Sequence, residues 1–174
     1  MNIRLLGNTA EIREAFINRF VMSWEAFQVS QKDWIAKMAK TKYPITVRWY
    51  EQSFMWDKID WCFPRVSMQE ALDFLKEKGG SVLFMSEKDE DTFYQGRELI
   101  DFVAEADAHA LADQIEWEWH NAYGSDACDA EAFLPDDLYV FDLSMKWCVV
   151  FTHETIDEKT ETLAEGRYCI ICKI

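Results

Sequence analysis

Basic residues are missing from a long part of this sequence, for no lysine or arginine occurs between positions 98 and 145. Turn and linker residues are scarce as well, with three prolines and six glycines in 174 residues, which argues against a chain dominated by flexible linkers. No stretch approaches the roughly 18 uninterrupted apolar residues of a membrane-spanning helix. Residues 1–10 lack both the basic start and the apolar core of a secretory signal, so a cytoplasmic protein is expected. Histidines number three, which limits acid/base and metal chemistry. There is no Gly-x-Ser-x-Gly, no phosphate-cradling glycine loop and no His-Glu-x-x-His.

What is present is material for a core. Hydrophobic residues make up 49% of the chain and aromatics 15%, enough for a single domain of this length, 1–174, to offset its chain entropy. The five cysteines are odd in number and scattered, which suits reduced thiols. Cys169 and Cys172 have a Cys-x-x-Cys spacing, but they lie in a β-rich run where residues three apart point to opposite faces, so neither zinc nor redox chemistry is expected.

The first element reads as a helix that begins after Asn8 and carries Ile12, Phe16, Phe20 and Trp24 on one face as far as Phe27. A shorter helix follows Ser30, with Trp34, Ile35 and Met38 aligned. Residues 45–63 fit neither period. Ser67 and Glu70 form a capping box for a helix that stops at Gly79-Gly80. A strand runs from Ser81 to Met85, and residues 97–123 read as one long helix or two. Three β-like runs close the chain: Leu138 to Phe141, Trp147 to Thr152 and Arg167 to Ile174. The fold class expected is α+β, a mostly antiparallel sheet made of a C-terminal β-meander and one earlier strand, with helices packed on one face.

Charge is segregated. Residues 1–97 hold 14 bases and 14 acids, residues 98–145 hold none and 13, and residues 146–174 hold 4 and 5. Unpaired carboxylates on successive helical turns repel, so a fold that keeps them forgoes support that lysine or arginine would give. Glu98, Asp101 and Glu105 would form one helical stripe and Asp113 and Glu116 another, beside Trp117. The acidic loop follows, with Asp126, Asp129, Glu131, Asp136 and Asp137. Carboxylates beside aromatics suit a surface for a basic protein partner, since the charge steers association and the rings supply contact area. The same carboxylates would repel nucleic acid, so direct nucleic-acid binding is not expected. The spacing of Asp126, Asp129 and Glu131 also departs from that of a calcium loop.

Catalytic chemistry has one candidate. His153 stands with Glu154 at a strand end, with Asp142 on the strand before it, an arrangement that would suit a general base. The segments Met55 to Phe63 with Val82 to Ser86, and Asp137 to Asp142 with Trp147 to Glu154, resemble a family of small uncharacterised bacterial proteins. In that family the chain ends in a strand, turn, Trp, strand, Thr-His-Glu pattern. The resemblance implies a bacterial cytosolic protein and no established activity; similar strand endings occur in small acidic immunity proteins.

These features favour an uncharacterised bacterial binding protein, of immunity or inhibitor type, whose acidic surface over residues 98–142 engages a basic protein. A small enzyme using His153, Glu154 and Asp142 is the alternative, and a structural protein without a site is the third. No cofactor, metal or membrane is expected to take part.

Overall fold

A computed structural model describes residues 1–60, 63–88, 91–122, 132–154, 156–157, 162–163 and 167–174. In chain order the elements are β1 (Arg4–Leu5), α1 (Thr9–Phe20), α2 (Trp24–Ser30), α3 (Lys32–Met38), α4 (Val47–Gln52), α5 (Met55–Asp60), β2 (Arg65–Val66), α6 (Met68–Lys78) and β3 (Ser81–Ser86). There follow β4 (Asp91–Tyr94), β5 (Arg97–Ile100), β6 (Val103–Asp107), α7 (Ala108–Asn121), β7 (Leu138–Phe141), β8 (Trp147–Phe151), β9 (Ile156–Asp157), β10 (Thr162–Leu163) and β11 (Cys169–Lys173). Seven strands form one antiparallel sheet in the order β1-β6-β3-β7-β8-β11-β2, so the fold is α+β.

Its central strands are continuous apolar runs because the sheet is buried on both sides. Val82, Phe84, Val140, Val149 and Ile171 face a core that α6 and α7 close. Leu83, Met85, Tyr139, Val150 and Ile170 face a second core closed by α1 and α5. Helices therefore cover both faces and not one. The physical reason lies in the strands, whose period-two alternation carries apolar groups on both sides and leaves no polar face for water. Cys169 joins the first core and Cys172 the second, as residues three apart on a strand must.

Local chemistry explains where the elements break. The helix expected to reach Phe27 ends at Phe20, where Val21 turns extended, and Ser23 caps a new helix by accepting the Ala26 N–H at 3.3 Å. The described part of residues 45–63 supplies two short helices, the first capped by Thr46, whose hydroxyl oxygen accepts the backbone N–H of Trp49 at 3.2 Å. The one long helix, or two, expected over 97–123 is corrected to two strands and a helix among the described residues of that stretch. Gln95 and Gly96 both have positive φ, a two-residue turn that pairs β4 with β5, and Asp101 at φ 53° separates β5 from β6. Asp107 then starts α7 by accepting the Ala110 N–H at 3.0 Å. No helix among the described residues is long and apolar enough to cross a membrane.

Cys148 and Cys172 are register partners across β8 and β11, and with Cys169 they are free and fully buried. Burial pushes the Cys169 and Cys148 thiols far above their ordinary range, and thiolate is the reactive form. All three are expected to resist iodoacetamide in the native protein, while five thiols per chain should titrate in denaturant. Rapid native alkylation of Cys148, Cys169 or Cys172, followed by peptide mass mapping, would contradict this packing.

Candidate functional site

The described acids of residues 98–142 are distributed over both sides of the sheet. Asp101 pairs with the buried Arg13 of α1, whose Nη1 also donates to the Ser86 carbonyl at 2.9 Å. Glu105, a strand residue, pairs with Arg4 and accepts the Ser81 hydroxyl. On the other side of the sheet Asp113 and Glu116 of α7 share Lys76 at 3.0 and 3.3 Å, and Trp117 beside them is 49% exposed. Glu98 is exposed on the β4–β5 hairpin. Asp136 is exposed and Asp137 buried. Asp126, Asp129 and Glu131 lie outside the described residues. The stripe expected from Glu98, Asp101 and Glu105 does not form, because these residues belong to a hairpin, a left-handed linker and a strand.

Asp142 is likewise separated from His153. It sits at the β7–β8 turn, where its carboxylate accepts the backbone N–H of Ser144 at 3.2 Å and of Lys146 at 3.1 Å. Burial alone would raise its pKa, but the hydrogen bonds from Ser144 and Lys146 hold it below the usual value.

Antiparallel pairing brings a different carboxylate to His153. Leu138 lies opposite Phe151, so the residues before β7 and after β8 meet at the same end of the strand pair. There Asp137 Oδ1 accepts the backbone N–H of His153 at 2.9 Å, and Asp137 Oδ2 lies 2.9 Å from His153 Nδ1. The Thr152 hydroxyl donates to the Tyr168 carbonyl at 2.8 Å and accepts the Glu154 N–H at 3.2 Å, which fixes the backbone on either side of the imidazole. With Nδ1–H donating to Asp137, Nε2 carries the lone pair, and Glu154 Oε1 lies 3.6 Å from it. The His153 side chain is 38% exposed. Burial alone would lower its pKa, but the hydrogen bond and charge of Asp137 raise it above the usual 6.5.

Aromatic rings wall this imidazole. Phe54 and Trp56 meet it edge-on at 5.0 and 5.9 Å between centroids and stack on each other at 5.7 Å. Beneath them Glu87, just past the end of β3, accepts the Met55 N–H at 3.1 Å and the Tyr139 hydroxyl. The Tyr139 hydroxyl oxygen in turn accepts the backbone N–H of Trp56 at 3.1 Å. The start of α5, and with it Trp56, is thus tied to the sheet by a part-buried carboxylate and a buried phenol. Burial raises the Glu87 pKa against the opposing hydrogen bonds from Tyr139 and Met55. It lowers that of the buried Lys58, against the charges of Glu87, Asp57 and Glu51. The Trp56 indole N–H is buried without a hydrogen-bond partner among the described residues.

Sequence reasoning named His153 and Glu154 but not Asp137 as the neighbour of the imidazole, and it did not bring Glu87, Tyr139 or Lys58 to this end of the sheet. Among the described residues no group of three or more His, Cys, Asp or Glu is arranged to hold a metal ion. No family model matches the chain, and no curated protein and no solved structure matches it.

Proposed function

We propose that the end of the sheet carrying His153 is a small-ligand site in which this imidazole accepts and returns a proton. The observation that carries the reading is the Nδ1 contact of a part-exposed histidine with a buried carboxylate, at 2.9 Å. A carboxylate so placed selects the tautomer with Nε2 free and stabilises the imidazolium once it forms, which is what a general base requires. Phe54 and Trp56 supply an apolar wall, and the buried indole N–H of Trp56 has no acceptor among the described residues.

Acyl transfer from p-nitrophenyl acetate to the imidazoles tests this without knowledge of the natural ligand. His153 is expected to acylate faster than His109 and His120, and Asp137→Asn to slow it by at least about tenfold through loss of the favoured tautomer. An NMR titration should place the His153 pKa above 6.5 and find it lowered in Asp137→Asn, where burial acts without the carboxylate. Equal acylation of all three histidines would make the pair a tie between strands and nothing more.

A second reading is that the acidic residues of 98–142 engage a basic protein, as an immunity or inhibitor protein would. It is favoured by the exposed Trp117 next to Asp113 and Glu116 on α7, in a sequence stretch with thirteen acids and no base.

A further inference from the structure

The helices α2, α3 and α4 form a lobe with a small core of its own. Phe27 is the only residue of these three helices that is buried. Trp24, Trp34, Trp49 and Tyr50 surround its ring at 5.4–6.4 Å between centroids. Residues 32–48 of this lobe carry Lys32, Lys37, Lys40, Lys42 and Arg48 against a single acid, Asp33. The local net charge is five minus one, or +4, in a chain whose total is −14, so the remainder carries −18.

All five bases are exposed, and none makes an ion pair with the described residues, whereas Arg4, Arg13 and Lys76 elsewhere each hold a carboxylate. On α3, Lys32 and Lys37 are exposed and flank the stripe of Trp34, Ile35 and Met38 on its two sides. Exposed apolar side chains accompany them: Val29 at 80%, Tyr43 at 69% and Val47 at 48%. Unpaired charge of one sign around exposed apolar groups is the composition of a protein contact.

Charge complementarity points to the occupant. A nucleic acid carries about one charge per 1.7 Å of duplex and would run beyond the lobe along a body of charge −18, which repels it. A surface with a short, confined run of carboxylates avoids that repulsion, and this chain bears one. On α7, Asp113 and Glu116 stand beside the half-exposed Trp117 and share one cation, Lys76, so the two carboxylates keep a net negative charge, in the stretch of sequence that has no base. We propose that the basic lobe of one molecule docks on the α7 face of a second copy, giving head-to-tail self-association. At physiological salt, charges more than about 8 Å apart are largely screened, so the facing patches decide the contact and the like net charges do not. The two surfaces differ, so the contact is heterologous and each molecule offers one of each. The inference uses the acidic-face reading above and names its basic partner.

Sedimentation velocity over a wide concentration range, at about 0.15 M and about 1 M salt, tests it. The protein is expected to associate at the lower salt and to lose that association at the higher. Two variants, Lys37→Glu/Lys40→Glu/Lys42→Glu and Asp113→Lys/Glu116→Lys, should each be monomeric with unchanged circular dichroism. Their mixture should associate again, because the intact lobe of the second meets the intact α7 face of the first and the two charge-reversed surfaces are complementary to each other as well. A wild-type protein that stays monomeric at both salts overturns the inference, as does a mixture that stays monomeric while the wild type associates. If the monomeric wild type still binds a lysine-rich peptide, and Asp113→Lys/Glu116→Lys does not, self-association is overturned and the acidic-face reading stands.

Discussion

Trp147→Ala is expected to destabilise the protein by about 3–5 kcal/mol, the range for truncating a buried large aromatic. Trp147 opens β8 on the side of the sheet that α6 and α7 cover, is 9% exposed, and meets the ring of Phe74 of α6 edge-on at 5.5 Å. Phe74 also lies under two cations, Lys78 and Lys173, at 4.9 and 4.8 Å. Removing the indole therefore opens a void at the α6 contact and loosens a ring on which two charged side chains rest. Urea unfolding should show a lower midpoint with an unchanged slope, since the native compactness is kept. Trp117→Ala is the control, because an exposed side chain on α7 should change stability by no more than about 0.5 kcal/mol. A loss below about 1 kcal/mol at Trp147 would mean that α6 does not pack on this sheet as described.

Legibility in the sequence followed the number of residues that repeat a signal. The helix α6 was readable from Ser67 and Glu70, and the structure has both reciprocal bonds, Ser67 N–H to Glu70 at 2.8 Å and Glu70 N–H to the Ser67 hydroxyl at 3.2 Å. Long apolar runs likewise announced β3, β7, β8 and β11. Residues 97–107 were misread because their acids recur at a spacing compatible with a helix. The features that decide the matter are single residues, Gly96 in a turn and Asp101 in a left-handed conformation, neither of which repeats. Coverage of both sheet faces was visible only as the absence of polar alternation in β7 and β8.

The site shows the same division. Counting outward from the β7–β8 turn pairs Phe141 with Cys148 and Leu138 with Phe151, which carries His153 away from Asp142 and toward Asp137. That arithmetic needs only the hairpin, so Asp137 was within reach of the sequence. Glu87 was not: it follows β3 without a motif, and only the fold brings it under Met55 and Tyr139.

Glu118→Ala is expected to cost about 2–5 kcal/mol, from roughly 1–3 for each buried donor left without an acceptor. Glu118 is one of the thirteen acids of the base-free stretch, yet it is 2% exposed and turns inward from α7. Its carboxylate accepts the backbone N–H of Leu134 at 3.2 Å and of Phe133 at 3.4 Å, together with the Gln114 amide at 2.9 Å. The positive charge of the buried Arg167 also acts on it, and Arg167 donates to the Asp136 carbonyl at 3.0 Å. Glu118 therefore fixes the segment that leads into Asp137, and through it the partner of His153. Burial raises the Glu118 pKa, and the hydrogen bonds from Gln114, Leu134 and Phe133 and the charge of Arg167 offset part of that rise. A carboxyl whose pKa is higher folded than unfolded holds its proton more tightly in the native state. Its titration thus favours folding below the unfolded value, and that contribution is lost as pH rises through the folded value. Glu118→Gln, which does not titrate but keeps one carbonyl acceptor, should remove this pH-dependent part while losing less than Glu118→Ala at neutral pH. Denaturant melts of the three proteins at pH 4 to 8 would show it, and equal stability of Glu118→Ala and wild type at neutral pH would mean that residues 133–137 are held by something else.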